Sequence, residues 1–361
     1  LRHEAAALDV IDDLRARVAA APRPPAAPTA PAALPAAEAS FARALAEERG
    51  LPLAAVQSAL ANARYNATVS RLMAPAATTG VRQRSWPGYR ARFVEPIRIR
   101  GGLRFWQENA ATLARAEQTY GVPAAVIVAI IGVETVYGRN MGNFRILDAL
   151  YTLAFSFPAT PERDRSDYFR GELAEYLAAT ISQGVAPESL RGSYAGAMGM
   201  PQFMPTSLRN YAVTANGRGG LPDLIGNTDD AIFSVANYLA GHGWQRGQPV
   251  FAPVRLPGNA ATLVEGGLAP TLSWQQLTNA GAQLSRPPTA GVVSGGLGDD
   301  GTLRWSEHKL GVVNLPNDPA GTVEHRVGTP NFFVITQYNR SYFYAASVAD
   351  LATELEKAYR P

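Results

Sequence analysis

Cysteine is absent from the 361 residues, which removes disulfides, thiolate metal sites, cysteine nucleophiles and a lipid-bearing cysteine within the chain. Charge is sparse as well. The 33 Lys and Arg and 30 Asp and Glu amount to 17 % of residues and a formal balance of +3, below the roughly 25 % usual in soluble domains. A nucleic-acid binder needs clustered Lys and Arg; no basic run here exceeds the neighbourhood of Arg82 and Arg84, so no nucleic-acid partner is expected. Long apolar runs are missing too. The longest, residues 122–133, contains Pro123 and Gly132 and falls short of the about 20 residues that span a bilayer, so no transmembrane segment is expected in this chain. The four histidines, His3, His242, His308 and His325, are scattered and form neither a zinc motif nor a catalytic pair. No G-x-S-x-G elbow, phosphate loop or internal repeat is present.

The length suffices for two or three domains. Residues 1–20 carry Leu8, Ile11, Leu14 and Val18 at helical spacing, and the Pro/Ala-rich run 22–35 reads as an extended linker. Two short helices broken at Gly50 and Pro52 are expected over 39–61. The aromatic and basic stretch 85–93 reads as an ordered loop. Leu103, Trp106, Ala110, Leu113 and Ala116 predict a helix from Gly101 to Gly121. Residues 123–137 follow, with Pro123 suited to a first turn and an apolar composition nearly all round, which marks a helix central to a core. Helices are also expected at 167–183 and at 228–241, the latter with Thr228 as its cap. From 249 to 323 many Gly and Pro, short β-branched stretches and the turn at 298–301 indicate a β-rich domain, with a capping-box helix at Ser273 to Gln276. A β-like run at 331–337 precedes a final helix carrying Val348, Leu351, Leu355 and Tyr359.

Glu134 stands out inside the most apolar of these helices, because burying an unpaired carboxylate is heavily penalised. Two readings fit the residue alone. One is a structural glutamate bonded to an arginine such as Arg139 or to helix-end amides; the other is a general acid whose pKa is raised by desolvation. Residues 192–205 (GSYAGAMGMPQFMP) are dense in small residues that permit close backbone approach. There Ser193 and Gln202 can donate to hydroxyl or amide groups, and Tyr194 and Phe203 can form apolar walls. A second polar and aromatic cluster, 336–344, suits sugar faces or, equally, a strand-to-helix corner. Asp148 reads as structural, and so does His242 at a helix end.

Taken together these segments resemble the B-type lytic murein transglycosylases. The resemblance rests on Val133-Glu134-Thr135-x-Tyr137-Gly138-Arg139, the stretch 192–205, Val235 to Leu239 with His242-Gly243-Trp244, Asn331-Phe332, and Ile335-Thr336-x-Tyr338-Asn339-x-Ser341. It runs in order from about residue 85 to the C-terminus apart from the β-rich section. It implies a mainly α (α+β) fold with a lysozyme-like catalytic core, an N-terminal helical domain and a small β-rich domain. The expected boundaries are 1–38 for the N-terminal helix and linker, 39–98 for the helical domain, 99–249 with 326–361 for the core, and 250–325 for the β-rich domain.

The resemblance also implies the chemistry. Glu134 would protonate the glycosidic oxygen between N-acetylmuramic acid and N-acetylglucosamine. It would then take the proton from the C6 hydroxyl as that oxygen closes a 1,6-anhydro ring. Ser193, Gln202, Phe203, Tyr89, Tyr238, Tyr338, Asn339 and Tyr344 match positions lining the family's sugar groove. Peptidoglycan is the implied partner, with cell-wall synthesis or division proteins as further candidates and no cofactor. The implied location is the periplasm, soluble or outer-membrane-anchored through a removed N-terminal segment. A hydrolytic muramidase and a non-catalytic peptidoglycan-binding scaffold are the alternatives.

Two stretches depart from the family pattern. Where an EF-hand-like calcium loop often stands, Thr214, Asn216 and Arg218 replace expected carboxylates and leave Asp223. No tight calcium site is therefore expected. Residues 158–165 are longer than the family's short basic turn, and either Arg163 or Arg165 is the candidate to meet peptide carboxylates.

Overall fold

The computed structural model describes residues 34–75, 83–285 and 304–359. The helix expected in 1–20, most of the 22–35 linker, and the turn at 298–301 lie outside the described residues. The chain is mainly helical: α1 (Ala36–Arg49), α2 (Leu53–Asn62), α3 (Ala67–Met73), α4 (Trp86–Arg90), α5 (Pro96–Glu108), α6 (Ala110–Tyr120), α7 (Ala124–Thr135), α8 (Ile146–Phe155), α9 (Ser166–Ser182), α10 (Pro205–Tyr211), α11 (Thr228–Gly241), α12 (Trp274–Asn279), α13 (Pro330–Tyr338) and α14 (Tyr342–Ala358). Three antiparallel pairs of strands accompany them: β1 (Phe144–Arg145) with β2 (Arg191–Gly192), β3 (Val254–Arg255) with β4 (Gln283–Leu284), and β5 (Gly311–Asn317) with β6 (Thr322–Gly328). Among the described residues no single helix is long and apolar enough to cross a membrane.

The most apolar helix is the axis of the main core. Every residue of α7 from Ala124 to Val133 is buried, because α5, α6, α11 and α14 pack around it. A helix enclosed on all sides has no polar face to preserve, which is why its sequence shows no amphipathic period. A second, smaller cluster of buried apolar residues, including Leu272, Leu277, Trp305, Leu310 and Val312, lies within 252–327. The break between α1 and α2 falls at Gly50 to Pro52, as the spacing predicts.

Several local expectations are corrected. Residues 86–90 form a helical turn rather than a loop, since the Ser85 hydroxyl accepts the Gly88 N–H at 3.3 Å and Pro87 stands in the first turn. The helix expected from Gly101 starts five residues earlier, where the Glu95 carboxylate caps Ile97 and Arg98, and it breaks at Asn109 into α5 and α6. Pro123 lies just outside α7, at its N-cap. The cap of α11 is Asn227, whose Oδ1 accepts from Asp229 and Asp230. The β-like run 331–337 is helical: Thr329 caps it, Pro330 fits its first turn, and burial of Phe332 to Ile335 on both faces overrides strand propensity. The aromatic corner that follows is therefore helix to helix.

The β-rich excursion leaves and rejoins the helical core at one place. Thr329 donates its hydroxyl to Pro249 O at 2.5 Å and its N–H to Val250 O at 3.1 Å, while Ala252 N–H reaches Val327 O at 2.9 Å. Beside it the buried Asn331 satisfies all its polar atoms, donating to Gln245 O and Gln248 O, both at 2.9 Å, and accepting from Gln245 N at 2.7 Å. On the far side Arg326 of β6 pairs with Asp350 of α14 at 2.6 Å, and Asp350 also takes Arg90 of α4 at 2.6 Å. The Trp86 indole donates to Glu324 at 3.0 Å. This network fixes α4, the hairpin and α14 to one another.

Candidate active site

Glu134 sits in the last turn of α7, and the way that helix stops determines where the carboxyl points. Val136 and Tyr137 both adopt left-handed backbone, at φ +51° and +60°, a conformation uncommon for a β-branched residue and costing on the order of 1–3 kcal/mol per residue. Packing holds them there. The Tyr137 side chain lies in a slot made by glycines: a Cβ at Gly102 or Gly132 would stand 2.4 or 2.5 Å from its hydroxyl, and one at Gly101 3.0 Å from its ring. Its hydroxyl donates to Arg98 O at 2.8 Å, and Arg98 Nε returns to Gly132 O at 3.0 Å. On the other side Thr135 Oγ1 lies 3.0 Å from Met200 O and accepts the Gly138 N–H at 3.0 Å.

The carboxyl emerges among phenols. Tyr344 donates to Glu134 Oε1 at 2.6 Å, its ring stacks at 6.3 Å on Tyr338, and Tyr338 meets Tyr238 at 4.7 Å. Each partner is itself anchored, Tyr338 to Pro201 O at 2.9 Å and Tyr238 to Gln337 O at 2.8 Å. Phe203 is buried against both of these rings, at 5.4 Å from Tyr238 and 6.0 Å from Tyr338. It backs the tyrosines and is not itself an exposed wall. Tyr89, from α4, packs on Phe93 and Phe343 at 5.2 and 5.3 Å.

The electrostatics follow from this setting. Burial pushes the Glu134 carboxyl up from the usual 4.5 to about 7, opposed only by the Tyr344 hydrogen bond, and no charged neighbour contributes. Burial, then the Glu134 charge, holds Tyr344 and Tyr338 well above the usual phenol range, and Tyr89 is raised by the same two causes. All remain neutral hydrogen-bond donors at physiological pH. The alternative pairing of Glu134 with Arg139 is overturned: Arg139 is exposed and makes no ion pair with it.

The Gly-rich stretch 192–205 is bound to the turn that follows Glu134. Strands β1 and β2 pair Phe144 with Gly192, and Gly142, at φ +87°, approaches so closely that a Cβ would lie 2.2 Å from Gly192 O. No side chain fits there. Ser193, half-buried, accepts N–H groups of Ala195 and Ala197 at 3.2 and 3.0 Å and keeps its hydroxyl proton. Gln202, in left-handed backbone at φ +52°, spends its amide donors on Met141 O at 3.2 Å and Gly199 O at 2.9 Å. Its remaining group is an acceptor, not the expected donor. Asn339 stands exposed at the corner between α13 and α14, beside Tyr338. Ser193 and Gln202 thus ride on a segment tied to the Glu134 turn, while Tyr238, Tyr338 and Tyr344 form one aromatic group at the carboxyl.

Other expected residues serve the scaffold. Asp148 accepts Arg64 N at 2.9 Å and pairs with Arg145 at 3.5 Å. His242 ends α11, with Nδ1 2.7 Å from Tyr238 O and its ring against Tyr211 and Tyr238. Arg163 donates to Met73 O at 3.2 Å and lies over Phe157, while Arg165 lies over Tyr168 and Phe169. The loop at 211–223 uses its acids internally. Asp230 takes the N–H groups of Ala215 and Asp223 at 2.9 and 3.0 Å, and Asp223 takes those of Ile225 and Gly226. Among the described residues no group of three His, Cys, Asp or Glu is placed to hold a metal ion. Thr135 and Tyr137 stand out in the sequence only as part of the Glu134 motif, while paired Gly101 and Gly102 inside a helical pattern signal the close packing of the slot.

A model of the transglycosylase SLT domain matches residues 35–353. The chain is 38 % identical over 317 residues to the membrane-bound lytic murein transglycosylase B of Escherichia coli, covering 86 % of this chain and 80 % of the relative. Among solved structures, soluble lytic transglycosylase SltB1 from Pseudomonas aeruginosa superposes with a TM-score of 0.75 at 38 % identity, over 89 % of this chain and 99 % of that one. The Escherichia coli lytic transglycosylase Slt35 in complex with calcium gives a TM-score of 0.71 at 35 % identity, over 88 % and 92 %.

Proposed function

Because the chain belongs to the transglycosylase SLT-domain family and is a lytic murein transglycosylase, we propose that Glu134 carries its reaction as acid and then as base. The observation that bears most weight is a carboxyl raised to about 7 by burial, facing phenols and, among the described residues, no second acid. In its protonated form, which a pKa near 7 keeps populated at neutral pH, Glu134 donates to the oxygen of the MurNAc–GlcNAc β-1,4 bond as that bond breaks. The resulting carboxylate then removes the proton of the muramyl C6 hydroxyl, whose oxygen bonds to C1 and closes the 1,6-anhydro ring. Proton and electron pairs balance without water, and Glu134 is returned protonated. Ordinary glycosidases flank the bond with two carboxylates; Asp148 is engaged with Arg64 and Arg145, which supports the single-acid reading.

In the same reading Ser193, Gln202, Asn339 and Tyr89 bind sugar hydroxyl and acetamido groups, and Tyr238, Tyr338 and Tyr344 form the floor that Phe203 supports. Residues 39–98, 99–249 with 326–361, and 250–325 are the helical, catalytic and β-rich domains, and the enzyme works on periplasmic murein. Mass spectrometry of products released from purified sacculi tests this, with Glu134→Gln alongside. Anhydro-muropeptides from the wild type alone are expected. Reducing-end products, heavier by one water, would turn the reading to a hydrolase, and binding without product would turn it to a scaffold.

A further inference from the structure

Beside the site lies a cleft of about 610 Å³ between the β5–β6 hairpin, the loop at Gly267 and Leu268, and the start of α14. Its volume is that of a ligand pocket, and it shares the start of α14 with the reaction centre. Phe343 in its wall packs on Tyr89, and the following residue, Tyr344, donates to Glu134. Tyr342 donates its hydroxyl to Gly267 O and holds the loop against the start of α14. Leu268, Pro316 and Phe343 give the cleft apolar surface, and Asn314 gives it an amide.

Two arginines line it, and they differ. Arg84 is held by Asp318, through its backbone N–H at 2.7 Å and Nε at 3.4 Å, so its charge is answered. Arg340 is exposed, and its guanidinium makes no hydrogen bond, ion pair or ring contact with another described residue. A guanidinium without a partner among the described residues, sharing a cleft with apolar surface and an amide, is complementary to a short peptide carrying a carboxylate.

We propose that this cleft is a subsite for the peptide stem of the murein strand, with Arg340 binding a stem carboxylate and Leu268, Pro316 and Phe343 receiving its small apolar side chains. The proposal rests on the murein reading above. It assigns peptide recognition to the β-rich section and the corner before α14, not to Arg163 or Arg165, whose guanidinium groups lie on neighbouring carbonyl and aromatic surfaces.

The test compares peptide-bearing glycan strands with the same strands stripped of peptide by an amidase. Arg340→Ala should lower kcat/KM on peptide-bearing strands about three- to fivefold, the size of one partly solvated ion pair. Arg340→Glu should lower it further, Arg340→Lys should recover most of it, and none should change the rate on stripped strands. Equal slowing on both substrates, or none on the peptide-bearing strands, would overturn the subsite while leaving the role of Glu134 intact. A wild-type chain that cleaves neither substrate would overturn the murein reading and the subsite with it.

Discussion

Replacing Glu134 with Gln should make the protein more stable at neutral and alkaline pH, and the gain should disappear in acid. The carboxyl has its ordinary pKa of 4.5 in the unfolded chain and about 7 in the folded one. Between these values the folded state binds more protons than the unfolded state, so stability falls as pH rises. Below 4.5 both states are protonated and nothing is lost; above about 7 the full cost of a charged carboxyl in this setting is present. At 1.36 kcal/mol per tenfold change the difference amounts to roughly 3 kcal/mol, and solvent access to Glu134 trims this toward about 2 kcal/mol. Glutamine carries no charge at any pH and still offers an oxygen to the Tyr344 hydroxyl. Urea unfolding of both proteins at steps from pH 4 to pH 8 measures the difference, and common titrations elsewhere cancel. The difference should grow through pH 4.5–7 in favour of the variant, which is also inactive. A difference independent of pH, or a wild type that gains stability over the variant on the alkaline side, would refute the claim that Glu134 is a desolvated acid.

Three further outcomes are expected. Tyr344→Phe removes the one bond that favours the Glu134 carboxylate, so the alkaline limb of the pH–rate profile should move upward; an unmoved limb counts against the contact. Gly132→Ala gains about 1 kcal/mol of helix propensity yet puts a methyl 2.5 Å from the Tyr137 hydroxyl. Overpacking of this kind costs about 1–3 kcal/mol, so urea unfolding should show no net stabilisation and kcat should fall as the Glu134 turn shifts. Millimolar calcium or its chelation should leave Tm unchanged, because Asp223 and Asp230 already serve backbone amides; a calcium-dependent rise of several degrees would show that the loop rearranges around the ion.

Much of the site is legible in the chain because it departs from local rules. A glutamate in an otherwise apolar helix, and a run of small residues broken by Ser193 and Gln202, are costly choices that a core alone does not require. What the chain conceals is whatever depends on packing. Residues 331–337 carry the aromatic and β-branched signature of a strand, and burial on both faces makes them a helix. Arg139 is the basic residue nearest Glu134 in sequence, but the left-handed turn at Val136 and Tyr137 separates them and brings in Tyr344, 210 residues away. Gln202 looks like a donor until two carbonyls are found on its amide. The direction of a hydrogen bond is set by neighbours that no spacing rule identifies.

The clamp of Thr329 and Asn331 on residues 245–250 makes the β-rich excursion, from the core's standpoint, a side loop tied off at its neck. Loop-closure entropy grows only logarithmically, about 0.6 kcal/mol for each doubling of length, so the helices on either side of the neck are nearly indifferent to how much chain hangs from it. Insertions and deletions there are thermodynamically cheap, provided the hairpin that reaches back to Trp86 and Asp350 is kept. The enzyme thereby carries the cleft between the hairpin and the loop at Gly267 on a part whose length is free to change, while Glu134 stays fixed in the most tightly enclosed helix among the described residues.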